Sequence, residues 1–336
     1  MRTRLKSPDL YNIGWIAALP IERAAATALL TERHDEPEEF CQHQCDSNSY
    51  TWGRIGRHNI VIASLPAGVY GTTTTTFTAA DLTHSFPNIR IGLLVGIGGG
   101  IPRPDFDVRL GDVVVSQPDG TTGGVVQYDL HKKLVGNVLE RKGSLNKPPP
   151  VLLNALAAMQ AEHEFDFPQV PDLLQKMWDT NPRMREAKTD FTHQGAKNDR
   201  LFEKDYNHVS GSTCDNCDPS KEVSRIHRDS TDPEIHYGVI ASGNTLIKDA
   251  VTRDNLALDT GHKCLCVETM AAGLIDRFPC LVIIGICDYA DSHTTDEWQR
   301  YAAATAAAVA VELLQYVPAS QLKATNTVAE AVGSCQ

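Results

Sequence analysis

Between residues 11 and 316, short apolar runs alternate with stretches of helical spacing, and this alternation narrows the fold more than any other feature. The runs around "IGWIAAL", "HNIVIASL", "IRIGLLVGIGGG", "GDVVVSQ", "IHYGVIAS", "KCLCV" and "CLVIIGICD" have strand lengths. Between them lie "IERAAATALLTE", "YGTTTTTFTAADLTHSF" with Thr72 as its expected cap, "PPVLLNALAAMQAEHE", "LIKDAVTRDNLALD", "ETMAAGLIDRF" and "EWQRYAAATAAAVAVELLQYV", which read as helices. Strands and helices in alternation predict an α/β chain: a three-layer αβα domain around a central mixed sheet. The expected domain covers 11–317. Residues 1–10 form an N-terminal extension, 166–232 a polar insertion rich in Asp, Lys, Asn and His, and 318–336 a disordered tail. In such sheets ligands gather at the carboxyl ends of strands, so those ends repay inspection.

Charge and composition exclude several functions. A formal net charge of −11 with no basic stripe argues against nucleic-acid binding. No run has the length of a membrane span. The N-terminal "MRTRLKSPDLYNIGWIAALP" places basic residues ahead of an apolar run, as a signal peptide does. That run is broken by Asn12, Gly14 and Pro20 and reads instead as the first strand. Nine cysteines, several in core-like runs (Cys264, Cys266, Cys280, Cys287), suit free thiols in a reducing, cytoplasmic setting.

Several strand ends carry more than turn chemistry. "CLVIIGICDYADSH" stops on Asp288, with Asp291 and His293 close behind. A carboxylate at the end of a buried strand is a poor packing residue and a good proton donor, although a capping aspartate would look the same. Glu22, in "LPIE", sits where the first strand enters its helix; there it complements the helix dipole or serves the site. "VGIGGGIP" offers Gly96, Gly98, Gly99 and Gly100 after a buried strand, without dinucleotide-fingerprint spacing. Those glycines either bring backbone N–H groups to a ligand or permit close strand packing. "ASGN" ends a strand at Asn244, and "VETMAAG" ends one at Glu268, a helix-terminal charge or a ligand contact. Cys214 and Cys217 form one C-x-x-C pair near His208, His227 and His236. As the only such pair they fall short of a four-ligand zinc set and are weak zinc candidates, so the expectation is no cofactor, with a zinc on Cys214 and Cys217 as the alternative. Arg225, His227 and Arg228 read either as a phosphate cradle or as a solvated loop face.

Taken in order, "IAALPIERAAA", "LPAGVYGTTTTT", "LLVGIGGGIP", "RLGDVVVSQPDGTTGGVVQYD", "TCDNCD", "HYGVIASGN" and "GICDYADSH" give the chain its resemblance, over nearly its whole length, to a known superfamily. It resembles the nucleoside phosphorylases and nucleosidases, which include purine nucleoside and uridine phosphorylases and 5′-methylthioadenosine/S-adenosylhomocysteine nucleosidase. It is most similar to their fungal branch, often the first domain of multidomain immune-type receptors. Because the chain ends soon after the matched stretch, a stand-alone protein is expected.

The resemblance implies a homo-oligomeric phosphorylase/hydrolase-like enzyme that cleaves the N-glycosidic bond of a small purine nucleoside. It makes Asp288 the acid that protonates purine N7 and Glu22 the residue that positions the attacking water. Gly98, Gly99, Asn244, Leu246, Ile247, Glu268, Thr269 and Met270 fall at or beside substrate-binding positions. Two departures stand out. Ile97 occupies a serine position of the nucleosidases' glycine loop, and a side chain that cannot hold an oxyanion favours water over phosphate. Met270 falls where a glutamate usually binds both ribose hydroxyls. The expected function is therefore purine nucleoside hydrolysis. A phosphorylase using Arg23, Arg103 or Arg109, a nucleotide nucleosidase using Arg225, Arg228 or Lys248, and a non-catalytic nucleoside sensor are the alternatives.

Overall fold

The computed structural model describes residues 2–133, 139–141, 143–261 and 263–333. In chain order its strands are β1 (Thr3–Arg4), β2 (Ile13–Ala17), β3 (Glu32–Asp35), β4 (Tyr50–Ile55), β5 (His58–Ser64), β6 (Ile91–Gly100), β7 (Val113–Ser116), β8 (Val125–Gln127), β9 (His131–Lys133), β10 (Leu139–Arg141), β11 (Ile235–Ser242), β12 (Cys264–Glu268) and β13 (Cys280–Asp288). The helices are α1 (Pro20–Ala28), α2 (Thr72–Ser85), α3 (Pro150–His163), α4 (Val170–Thr180), α5 (Ala250–Asp259), α6 (Ala271–Leu274), α7 (Gln299–Gln315), α8 (Ala319–Ala324) and α9 (Val328–Gly333).

The sheet is mixed, as expected, and it curls. Its wing runs β1–β3–β4–β5–β2–β6. Beyond β6 the pairings close a ring through β13, β7, β11 and β12 back to β6. The long β6 makes this closure. It pairs in parallel with β2 over its first residues and with β13 from Gly92 to Gly99, and its last two, Gly99 and Gly100, pair antiparallel with Val267 and Cys266 of β12. The end of β12 is thereby brought back alongside Gly98, next to the end of β13.

Helix α7 lies across the ring. It is alanine-rich and buried all round from Tyr301 to Leu314, the pattern of a core helix. Its backbone approaches β13 so closely that a Cβ at Gly285 would sit 1.9 Å from the Ala302 carbonyl oxygen. Glu312 is fully buried on this helix and is held by His163 Nε2 at 2.8 Å and the Gln169 amide at 3.0 Å.

Three segments differ from expectation. The N-cap position of helix α2 is held not by Thr72 but by Gly71, whose φ of 105° favours glycine. Within the polar stretch 166–232, α4 buries Val170, Leu174 and Met177 against the α7 core. The tail expected to be disordered carries α8 and α9, because Leu322 and Val328 are buried. The N-terminal extension also joins the sheet, through the parallel pairing of β1 with β3.

Candidate functional site

Where the β2–α1 junction, the middle of β6 and the ends of β12 and β13 converge, they enclose a cavity of about 280 Å³. Of the residues singled out in the sequence, Glu22, Gly98, Gly99, Leu246, Ile247, Glu268, Thr269, Met270 and Asp288 line it. A larger cleft of about 520 Å³ between α1, β5, α4 and α7 has no carboxylate among its described lining residues. The candidate site residues thus gather in the smaller cavity.

Glu22 is 3% exposed. It lies in the first turn of α1, and its Oε2 reaches back to accept from the amides of Ala18 at 2.5 Å and Leu19 at 2.8 Å. Oε1 accepts from the Ile97 amide at 3.0 Å, which ties α1 to β6. Glu22 thus sits at the helix start and lines the cavity at the same time. Burial pushes its carboxyl up to about 7; the three backbone N–H groups pull it down and nearby Glu268 pushes it further up.

Asp288 ends β13 on a register shift, and its Oδ1 accepts from the Ala290 amide at 2.7 Å. Ala290 has φ 50°, a left-handed backbone that a non-glycine residue holds only at a cost. The turn is anchored by Arg253, which donates to the Tyr289 carbonyl at 2.9 Å. Burial raises the Asp288 carboxyl above its usual range, and Asp291 adds to the rise. Both acids lie against β6. A Cβ at Gly96 would meet Glu22 Oε1 at 3.0 Å, and one at Gly99 would meet Asp288 Oδ1 at 2.7 Å. These glycines make room for the two carboxyl groups.

Glu268 is buried, and its carboxylate accepts from the amides of Met270 at 2.7 Å and Ala271 at 3.1 Å, capping the short α6. Burial raises its carboxyl, while Ser242 and those amides oppose the rise. Met270 is 2% exposed, and its Cε lies 3.0 Å from where a Gly96 Cβ would be, beside Glu22. Ile247 is buried, while Leu246 is 57% exposed at the rim.

Asn244 is not among the lining residues. Its Oδ1 accepts from the Thr72 amide at 3.1 Å and from the Thr72 hydroxyl at 2.9 Å, and its own amide donates to Asp129. It therefore caps α2 from a distant loop and does not face the cavity. Tyr70, Tyr128, Lys248, Thr294, Asp296 and Gln299 also line the cavity and were not singled out as site residues, Lys248 apart as a nucleotide-phosphate candidate. Nothing local in sequence marks the others, which arrive on loops and at the start of α7.

Lys248 is the one cation among the described lining residues, which include the acids Glu22, Glu268, Asp288 and Asp296. The other arginines considered for phosphate are engaged elsewhere. Arg23 donates to the hydroxyls of Ser49, Thr51 and Ser64. Arg103 lies by Asp105 and over the Phe106 ring. Arg109 pairs with Asp107, Arg225 with Asp199 and Arg228 with Asp112. His236 also binds Asp112, at 2.9 Å, and stays away from the cysteine pair.

The fold is shared with solved nucleosidases and a futalosine hydrolase. Futalosine hydrolase of Helicobacter pylori strain 26695 superposes with a TM-score of 0.57 at 15% identity, covering 92% of this chain and 99% of that one. The 5′-methylthioadenosine/S-adenosylhomocysteine nucleosidase of Neisseria meningitidis, in complex with methylthio-immucillin-A, gives 0.57 at 14% identity, covering 91% and 99%. Its counterpart from S. pneumoniae, with a transition-state inhibitor, gives 0.55 at 16% identity, covering 91% and 100%. In sequence, the chain is 42% identical over 317 residues to a nucleotide-binding leucine-rich repeat (NLR)-like protein of Hyaloscypha variabilis. The match takes in 94% of this chain and spans 30% of that relative's length. No protein-family model matches the chain. Among the described residues, no helix is long and apolar enough to cross a membrane.

Proposed function

We propose that this protein is a purine nucleoside hydrolase acting on adenosine- or inosine-type ribonucleosides. The observation that carries the proposal is the pair of carboxyl groups set against β6, each raised by burial: Asp288 on its anchored turn and Glu22 locked by three amides. As the glycosidic bond breaks, the purine gains negative charge and the ribose becomes oxocarbenium-like. Asp288, in its protonated form, delivers a proton to N7. Glu22, ionised, orients and deprotonates the attacking water. The acidic lining supports water as nucleophile over phosphate, because an anion entering this cavity would meet four carboxyl groups, some of them ionised, and a single lysine among the described residues. The same imbalance weighs against nucleotides as substrates.

Met270 supports a second reading, a module that binds nucleosides without cleaving them. Glu268 is committed to the α6 amides, and a thioether is a poor acceptor for ribose hydroxyls. The likeness to an NLR-like protein suits such a sensor.

Tyr70 and Leu246 at the rim are 55% and 57% exposed, and a second copy in a homo-oligomer would cover them. The eight cysteines among the described residues form no disulfide, which suits a reducing compartment.

Asp288→Asn tests the assignment. Release of adenine from adenosine should fall about a hundredfold or more with the fold intact, because an amide cannot supply the N7 proton. A variant that keeps most of its activity removes Asp288 from the mechanism.

A further inference from the structure

The insertion docks onto the turn that follows Asp288. The His208 amide donates to Ser292 Oγ at 3.0 Å, and Arg225 joins Asp199 to the Tyr289 hydroxyl. Metal-ligating side chains gather at this contact. One ligand atom each from His208, Cys214 and Cys217 lies within 4.8 Å of the others. The Cys217 amide donates to the Cys214 carbonyl at 3.0 Å and closes the C-x-x-C turn, while Arg200 donates to both cysteine carbonyls. His208 Nε2 lies 3.0 Å from the Thr213 carbonyl oxygen. A carbonyl only accepts, so Nε2 carries the proton and Nδ1 keeps its lone pair, the usual state of a ligating imidazole.

His293 supplies an independent observation. It is 9% exposed, and neither ring nitrogen has a hydrogen-bond partner among the described residues. A buried imidazole left in that state is costly. Its Nδ1 lies 3.6 Å from Asp291 Oδ1 and its ring stacks on Phe202 at 4.1 Å. Its carbonyl oxygen is 3.9 Å from Cys214 Sγ, and its ring centroid is 5.6 Å from that of His208. Two imidazoles on one tetrahedral zinc, with Zn–N bonds of about 2 Å, place their centroids roughly 5 Å apart.

We propose that His208, Cys214 and Cys217 hold a structural zinc that pins the insertion to the segment following Asp288, with the unpartnered His293, whose ring nitrogens are not among the atoms clustered within 4.8 Å, turning in as the fourth ligand. Two thiolates and two imidazoles suit zinc in tetrahedral coordination. With every position filled by a side chain, the site is closed to substrate and its role is mechanical, independent of the hydrolase reading. The sequence displayed the cysteine pair with His208 close by, but His293 follows on a distant strand end and only the fold brings it near.

The full chain, purified without chelators, should contain about one zinc per molecule by elemental mass spectrometry. That zinc should be lost in Cys214→Ser and Cys217→Ser, reduced in His293→Ala, and retained in the double variant Cys41→Ser/Cys45→Ser. Because the first variants can fail to fold, the wild type is also stripped of metal and titrated with Co²⁺. Tetrahedral d–d bands with thiolate charge transfer are expected, together with faster proteolysis of segment 199–225 in the stripped protein. The proposal is overturned by wild type that carries no zinc and gives no tetrahedral thiolate–cobalt spectrum. It is equally overturned by zinc that follows Cys41 and Cys45 instead of Cys214 and Cys217.

Discussion

Replacing Glu22 with glutamine should change how stability depends on pH, and the size of the change follows from its burial. Burial holds the folded carboxyl up at about 7, against an ordinary value of 4.5. Between those values the folded state binds more protons than the unfolded one, so stability falls as pH rises. Below the lower value both states are protonated and the contribution is flat; above the upper value the loss is complete. At 1.36 kcal/mol per pH unit the loss amounts to about 3 kcal/mol. Glutamine does not titrate. Its amide presents a donor to one of the Ala18, Leu19 or Ile97 amides, which adds a cost that is constant with pH. Urea unfolding of wild type and Glu22→Gln across this range isolates the effect: wild-type stability minus variant stability should drop by about 3 kcal/mol as pH rises through the window. Activity should move the opposite way, since the carboxylate is the working form, so wild-type kcat/KM should decline on acidification through about 7. A stability difference that is flat, or that rises with pH, would refute the picture of a desolvated Glu22.

Gly99→Ala should lower kcat/KM tenfold or more by the loss of a positioned acid, because the new Cβ would stand 2.7 Å from Asp288 Oδ1 and 2.8 Å from the Ala290 Cβ. At Gly100 a Cβ would meet only the side chains of Ile286, Val108 and Tyr289, so Gly100→Ala should cost about 1–3 kcal/mol in melts and spare most activity. Equal losses of activity in the two variants would show that Gly99 does not shelter the acid. Wild type should discriminate weakly between adenosine and 2′-deoxyadenosine, and Met270→Glu should shift specificity constants toward ribose, since charge-assisted bonds to hydroxyls are worth roughly 1.5–3 kcal/mol each. A strong ribose preference in wild type would show that another group holds the hydroxyls.

Much of this site could be read from the chain because its parts are local. Strand β13 announces itself by an unbroken apolar run that stops on a carboxylate, and β6 by an apolar run dissolving into glycines. Glu22 stood out at a strand-to-helix junction. What stayed hidden was long-range. Asn244 looked like a ligand contact at a strand end, but its partner is Thr72, far away in sequence. Glu268 lined the cavity as expected, yet its oxygens turn to the α6 amides, a preference set by the tight turn and not by residue type. Helix α4 did carry helical periodicity in Val170, Leu174 and Met177, but its polar flanks masked it. The closure of the sheet through Gly99 and Gly100 depends on which strands meet, and no single run records that.

Chromatography of adenosine and inosine incubated with the purified protein, with and without inorganic phosphate, bears most directly on the central claim. Free purine and free ribose should appear in phosphate-free buffer, at a rate that added phosphate leaves unchanged. Base release that requires phosphate and yields ribose 1-phosphate, or nucleosides that bind and return intact, would contradict hydrolysis by Asp288 and Glu22.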